Sequence, residues 1–144
     1  MYVCIEGTEG VGKSTQTMGI YKSLVEKYGA DNVVRTSEPG NLHVLLTMKL
    51  RELMLDAEFD GSMTKEAREY LSQAARSVNL NSVVVPALLR KQYIIQDRGL
   101  LSGYAYGISC GNSESWLKTL ASTPCENKTL LIRFSDCINV KQNE

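Results

Sequence analysis

A parallel β-sheet flanked by helices is the fold class this sequence predicts, and three observations predict it. Short β-branched or apolar runs alternate with stretches whose apolar residues recur every three or four positions. A glycine-rich segment, GTEGVGKS from Gly7 to Ser14, lies between the first such run and the first helical stretch. A polar turn, Asp97-Arg98-Gly99, closes a later apolar run, and ligands gather at the ends of parallel strands.

Tyr2-Val3-Cys4-Ile5-Glu6 reads as a buried first strand. Ser14 to Tyr28 places Met18, Tyr21, Leu24, Val25 and Tyr28 on one helical face, with Gly29 as the stop. Asn32 to Thr36 is a second strand, ended by the turn Ser37-Glu38-Pro39-Gly40. A helix near Leu42 to Leu55 should bury Leu42, Leu46, Leu50, Leu53 and Met54, and His43 reads as a residue on its surface. Asp56 to Met63 is a loop. Thr64 then caps a helix to about Leu80, with Ala67, Tyr70, Leu71, Ala74 and Val78 inward. Val83 to Lys91 is read as a short helix with Pro86 in its first turn. Gln92 to Gln96 is a third strand, Leu100 to Tyr106 is helical, Ser113 caps a helix to about Ser122, and Thr123-Pro124 ends it. Thr129 to Phe134 is a fourth strand.

Gly7 to Ser14 fits G-x-x-x-x-G-K-[ST], the P-loop, in the strand–loop–helix setting the motif requires. Gly7 and Gly12 let backbone N–H groups turn inward and form an anion nest at a helix N-terminus. The stretch Gly7, Thr8, Glu9, Gly10, Val11, Gly12, Lys13, Ser14 and Thr15 would then wrap the phosphates of a nucleoside triphosphate. Lys13 would reach the β- and γ-phosphates and the Ser14 hydroxyl would ligate Mg²⁺. Asp97 stands where a magnesium-handling carboxylate belongs, and Arg98 adds a planar cation suited to phosphate.

The 144 residues suit one domain, residues 1–144, able to bury roughly two-thirds of its unfolded surface. Sixteen basic and sixteen acidic residues cancel without a basic block, which argues against a general nucleic-acid groove. No charged n-region, long apolar run or membrane-length segment is seen, so neither a signal peptide nor a membrane partner is expected. Cys4, Cys110, Cys125 and Cys137 lack metal-ligand or disulfide spacing, and a reducing cytoplasm is the expected home.

GTEGVGKSTQ at Gly7 to Gln16, TSEPG at Thr36 to Gly40 and QDRxxxSxxAYG at Gln96 to Gly107 resemble the thymidylate kinases, in order and nearly in spacing. LRELMLD near Arg51 and YLSQAAR ending at Arg76 are similar to that family's two substrate-binding helices. The resemblance covers Met1 to about Ser135 and implies a P-loop NTPase fold of nucleoside monophosphate kinase type. It also implies transfer of the γ-phosphoryl group of ATP to dTMP or a related deoxynucleoside monophosphate, with Mg²⁺ held by Ser14 and Asp97. Lys13, Asp97 and Arg98 would be catalytic. Glu9 would hold the acceptor 3′-hydroxyl, Glu38 would shape the acceptor pocket, and Arg51, Arg76 and Arg98 would bind the monophosphate or base. Tyr106 would pack under the sugar and disfavour a 2′-hydroxyl.

Some positions depart from the pattern. Ser72 replaces a stacking phenylalanine, Gly99 the tyrosine of DRY, Gly103 a serine, Gly107 a glutamine, and Ser37 the arginine of REPG. Tyr70 or Tyr104 is a candidate replacement for the stacking ring. The family continues into an arginine-bearing lid, a further strand and a helix, whereas this chain stops at Glu144 and its P-loop carries no arginine. The expectation is therefore an incomplete C-terminus, slow turnover, and a homodimer or association through the edge of Thr129 to Phe134. The alternative left open is a nucleotide-binding or partner module that kept the acceptor site and lost turnover.

Overall fold

The computed structural model of the chain describes residues 1–121 and 129–133. Strand β1 (Tyr2–Glu6) is followed by α1 (Lys13–Tyr28), β2 (Val33–Ser37), α2 (Leu45–Leu55), α3 (Lys65–Asn79), α4 (Val85–Leu89), β3 (Tyr93–Asp97), α5 (Leu100–Ser109), α6 (Glu114–Ala121) and β4 (Thr129–Arg133). The four strands are parallel in the order β2-β3-β1-β4. The fourth strand thus lies beside the P-loop strand.

All five residues of β1 are buried, as a central parallel strand covered on both faces requires. The pleat sends its side chains alternately to two cores. Tyr2 joins Ile94, Val84 and Ala87 on one face, with Val34, Leu80 and Leu88 packed against them. Val3 and Ile5 join Ile95 on the other, under Ile20 and Leu24 of α1. The pairings Ser37 with Asp97 and Ile5 with Asp97 align the carboxyl ends of three strands, which positions the site.

Several helical expectations need correction. Helix α2 begins at Leu45, so Leu42 and His43 sit in the preceding turn rather than on the helix. Leu42, Leu46 and Leu53 are exposed, and the buried residues of α2 are Thr47 and Met54. On α3, Tyr70 and Ala74 face outward while Glu69, Ala75, Arg76 and Asn79 are buried. Apolar periodicity misread both helices because their inward faces carry polar groups of a cleft and a buried hydrogen-bond cluster. Thr36 donates to Asn79 Oδ1 at 2.6 Å, for example, and Asn41 Nδ2 donates to Thr36 Oγ1 at 2.9 Å.

The loop after α2 includes a short 3₁₀ turn, Ala57–Phe59. Thr64 caps α3 as expected, accepting from the Ala67 N–H. Between α3 and α4 the chain stays helical through a π-helical stretch, Leu80–Val84. Pro86 near the start of α4 has no N–H for the carbonyl four residues back, which favours such a widened turn. Ser122, Thr123, Pro124, Cys125, Phe134, Cys137 and Glu144 lie outside the described residues.

Candidate nucleotide site

The P-loop is shaped by left-handed glycines. Gly10 and Gly12 have φ of 78° and 85°, and nothing lies within 4 Å of a Cβ placed on either. What each supplies is therefore backbone conformation rather than clearance. Gly12 immediately precedes α1, so the loop delivers free N–H groups to the helix start. Lys13 is buried beneath the loop, and its ammonium donates to the Thr8 carbonyl. Burial, and then the neighbouring Arg98, hold its pKa below that of an ordinary lysine. Arg98 Nη1 in turn reaches the Gly7 carbonyl at 3.4 Å. Two cations directed at loop carbonyls form a setting that an anion would satisfy better.

Beside the loop, the Ser14 hydroxyl donates to Asp97 Oδ2 at 2.7 Å. Asp97 Oδ1 is buried and has no hydrogen-bond partner among the described residues. One hydroxyl and one carboxylate with a spare oxygen suit Mg²⁺, a hard ion that takes its remaining ligands from phosphate and water. No cluster of three or more His, Cys, Asp or Glu that could hold a metal occurs among the described residues.

The Asp97-Arg98-Gly99 turn is fixed by a residue that sequence reading missed. Glu6, buried at the end of β1, accepts the Gly99 N–H at 2.9 Å on Oε1 and the Ser102 hydroxyl on Oε2. Arg98 adopts φ of 61°, its N–H donates to the Ile5 carbonyl at 2.9 Å, and its Nη1 lies 3.3 Å from Ser102 Oγ. A Cβ on residue 99 would fall 2.9 Å from Cys4 Sγ and 3.1 Å from Gln96 Nε2. That crowding accounts for glycine after the arginine. Burial first, and then Glu6, push the Cys4 thiol upward, so it is an inert packing group. The one signal for Glu6 was an acid ending an otherwise apolar strand.

Glu9, Glu38, Arg51, Arg76, Arg98 and Tyr106 all line one cleft of about 490 Å³. The Tyr106 hydroxyl donates to Glu9 Oε1 at 2.8 Å, and Arg98 lies over the Tyr106 ring at 5.5 Å from its centroid. Arg98 Nη2 is 3.8 Å from Glu9 Oε1. On the opposite wall Arg76 Nε donates to Glu38 Oε2 at 2.8 Å, with each side chain only 6% exposed. The Glu38 N–H donates to the Asp97 carbonyl at 3.1 Å, tying β2 to β3 at the cleft. Arg51 folds against Gly40, where a Cβ would fall 2.7 Å from its Cδ. Ser72, Gly103 and Gly107 also line the cleft. Neither proposed replacement ring does: Tyr70 stands edge-on to Trp116 at 5.5 Å, and the Tyr104 hydroxyl donates to the Glu114 carbonyl.

A phosphate-binding loop opening onto such a cleft, at the carboxyl ends of a parallel sheet, marks a nucleotide-binding protein of the P-loop α/β class. The family model "Thymidylate kinase" matches residues 5–143, and the chain belongs to the thymidylate kinase family. It is 34% identical over 145 residues to a thymidylate kinase of Mycoplasmopsis agalactiae, covering 100% of this chain and 66% of that protein. It is 36% identical over 124 residues to one of Acinetobacter baylyi, covering 85% and 59%. The crystal structure of thymidylate kinase from Ehrlichia chaffeensis superposes with a TM-score of 0.79 at 29% identity, covering 92% of this chain and 74% of that one. The chain thus spans 59% to 66% of the length of these two curated relatives.

Proposed function

We propose that this chain is a deoxynucleoside monophosphate kinase, moving the γ-phosphoryl group of ATP to dTMP or a related acceptor. One observation carries the reading: the residues expected on the acceptor side line one cleft, and three of them, Glu9, Arg98 and Tyr106, also border an adjoining hollow lined by Gly7 and Thr8 at the start of the P-loop. Donor and acceptor phosphates would meet across Arg98. In-line transfer between two bound nucleotides needs positioning and charge neutralisation, with no covalent intermediate. Lys13 and Arg98 neutralise the transferring group. Ser14 and Asp97 would hold Mg²⁺, which when bound offsets the charge of the β- and γ-phosphates. Arg51, which has no hydrogen bond or ion pair among the described residues, is available to the acceptor phosphate. Glu9 takes the 3′-hydroxyl, Tyr106 packs under the sugar, and Glu38 and Arg76 shape the base side. The test is ADP formation with each common monophosphate, checked by the mass of the product. Acceptor-dependent ADP with a deoxynucleoside monophosphate is expected, and ATP turnover with no acceptor phosphorylated would sink the reading.

Its partners are then small nucleotides, and its place is the cytoplasm. Self-association is also proposed, supported by the exposed Leu42, Leu45, Leu46 and Leu53 on and before α2. Sedimentation equilibrium checks it, and a monomer at micromolar concentration counts against it.

A further inference from the structure

We infer that Glu6 is a positioning residue for phosphoryl transfer, which acts through the Ser102 hydroxyl to aim the Arg98 guanidinium at the junction of the two phosphate sites. The inference rests on the kinase reading above and deepens it.

Arg98 is held in a conformation it would not take alone. Its φ of 61° is left-handed, a region that residues with a Cβ rarely occupy, and such a backbone persists only where its surroundings over-determine it. Here β1 takes two consecutive N–H groups. The Arg98 N–H donates to the Ile5 carbonyl at 2.9 Å, and the Gly99 N–H donates to Glu6 Oε1 at 2.9 Å. Glu6 is only 4% exposed. Gly99 immediately precedes α5, so the carboxylate also faces a helix N-terminus, where negative charge is favoured.

The second carboxylate oxygen acts on the arginine side chain. The Ser102 hydroxyl donates to Glu6 Oε2. A hydroxyl has one hydrogen and two lone pairs, so with its hydrogen on Glu6 it can only accept from its other neighbour. That neighbour is Arg98 Nη1, 3.3 Å away, which can only donate. The carboxylate fixes the polarity of the hydroxyl, and the hydroxyl fixes the guanidinium beside the P-loop, where Nη1 also donates to the Gly7 carbonyl at 3.4 Å. Charge acts in the same sense. Burial and then Arg98 lower the Lys13 pKa, and Glu6 is among the carboxylates that oppose them.

An amide at position 6 cannot do this, because it has one acceptor oxygen where the carboxylate has two. The Gly99 N–H is fixed by the backbone whereas the hydroxyl rotates. In Glu6→Gln the amide oxygen therefore stays on Gly99 and its NH₂ meets Ser102. The serine hydrogen is displaced into the space shared with Arg98, donor against donor, and the guanidinium shifts. Removing the hydroxyl as well relieves that opposition.

The experiment measures ATP-dependent phosphorylation of dTMP by the full chain, by Glu6→Gln, by Ser102→Ala and by the double variant. Glu6→Gln should lower kcat by about a hundredfold, the scale of a misplaced group, and move either KM far less. Ser102→Ala should cost about tenfold, and the double variant should be faster than Glu6→Gln alone. A merely structural role predicts losses that accumulate, so a double variant no faster than Glu6→Gln, or an unchanged kcat in Glu6→Gln, overturns the inference. Should Glu6→Gln fail to fold, Ser102→Ala decides, and an unchanged kcat there overturns it. A second readout needs no turnover. The Glu9 hydrogen bond and burial raise the Tyr106 phenol, and Arg98 over its ring opposes them. With the guanidinium displaced, the phenol should titrate later in both single variants. If the unaltered chain phosphorylates no acceptor, the kinase reading fails by itself and this titration decides: an unmoved phenol overturns the link from Glu6 to Arg98.

Discussion

The Tyr106 hydroxyl donates a 2.8 Å hydrogen bond to Glu9 Oε1, joining α5 to the P-loop across the mouth of the acceptor cleft. The bond raises the Tyr106 phenol above its ordinary value of 10.0, with burial second. A raised folded pKa means the contribution is whole below the ordinary tyrosine value and is lost as pH rises through the folded value. The contact should therefore be intact at neutral pH and fail only in alkali. Absorbance at 295 nm, as the difference between the unaltered chain and Tyr106→Phe, should show this phenol titrating late. Glu9→Gln should bring its titration earlier, and an unmoved curve would contradict the assignment.

The same pair bears on the sugar. On the proposed placement of Tyr106 beneath the ribose and Glu9 at the 3′-hydroxyl, dUMP should bind more tightly than UMP, by about tenfold if one buried contact is spoiled. Competitive titration of the two against a common ligand measures it. Equal affinities would refute the role given to Tyr106.

Lys13→Ala should cut phosphoryl transfer by roughly a hundredfold or more and weaken ATP binding, as removal of a preorganised charge does. Arg98 stands close enough to Lys13 to influence its titration, so some ATP affinity should survive. Turnover equal to that of the unaltered chain would remove the P-loop assignment.

Asp97→Asn keeps the acceptor of the Ser14 hydrogen bond but removes the charge offered to a metal. The prediction is a large increase in the Mg²⁺ concentration needed for half-maximal transfer, with thermal stability in the absence of metal changing little. An unchanged magnesium dependence would place the ion elsewhere.

Glu38→Ala leaves the Arg76 guanidinium buried without its carboxylate, with only the longer contacts to Gln73 and the Gly99 carbonyl. Uncompensated buried charge typically costs about 3–5 kcal/mol, so the urea midpoint should fall markedly, whether or not nucleotide is present. A loss under about 1 kcal/mol, the range of exposed ion pairs, would mean that Arg76 finds water or another acceptor.

Gly103→Ala sets two effects against each other. Alanine in a helix interior gains about 1 kcal/mol over glycine, but its Cβ would fall 2.4 Å from Arg76 Nη2. That atom is the far end of a flexible side chain, although Glu38 restrains it. Stability should change little, while acceptor affinity should fall as the guanidinium is displaced. Unchanged affinity for every monophosphate would show that Arg76 does not address the base.

What the sequence settled by itself was local. Eight residues of glycine-rich loop between a strand and a helix specify an anion nest, because backbone conformation there depends on glycine at particular positions and on little else. The strand–helix alternation and the turn at Asp97-Arg98 were legible for the same reason, and the residues that the resemblance assigned to the acceptor line one cleft. Tertiary structure decided what depends on partners distant in sequence. Glu6 finds Gly99, Glu38 finds Arg76, and Glu69 comes to Gly107 only when the sheet aligns the strand ends and α3 packs beside α5. It also turned part of the expected inward faces of α2 and α3 to solvent, Leu46 and Leu53 on one and Tyr70 and Ala74 on the other, while Met54 stayed buried. Apolar periodicity assumes that the inward face is the greasy one, and a helix that walls a polar cleft turns its arginine and carboxylate inward and leaves its leucines or tyrosine outside.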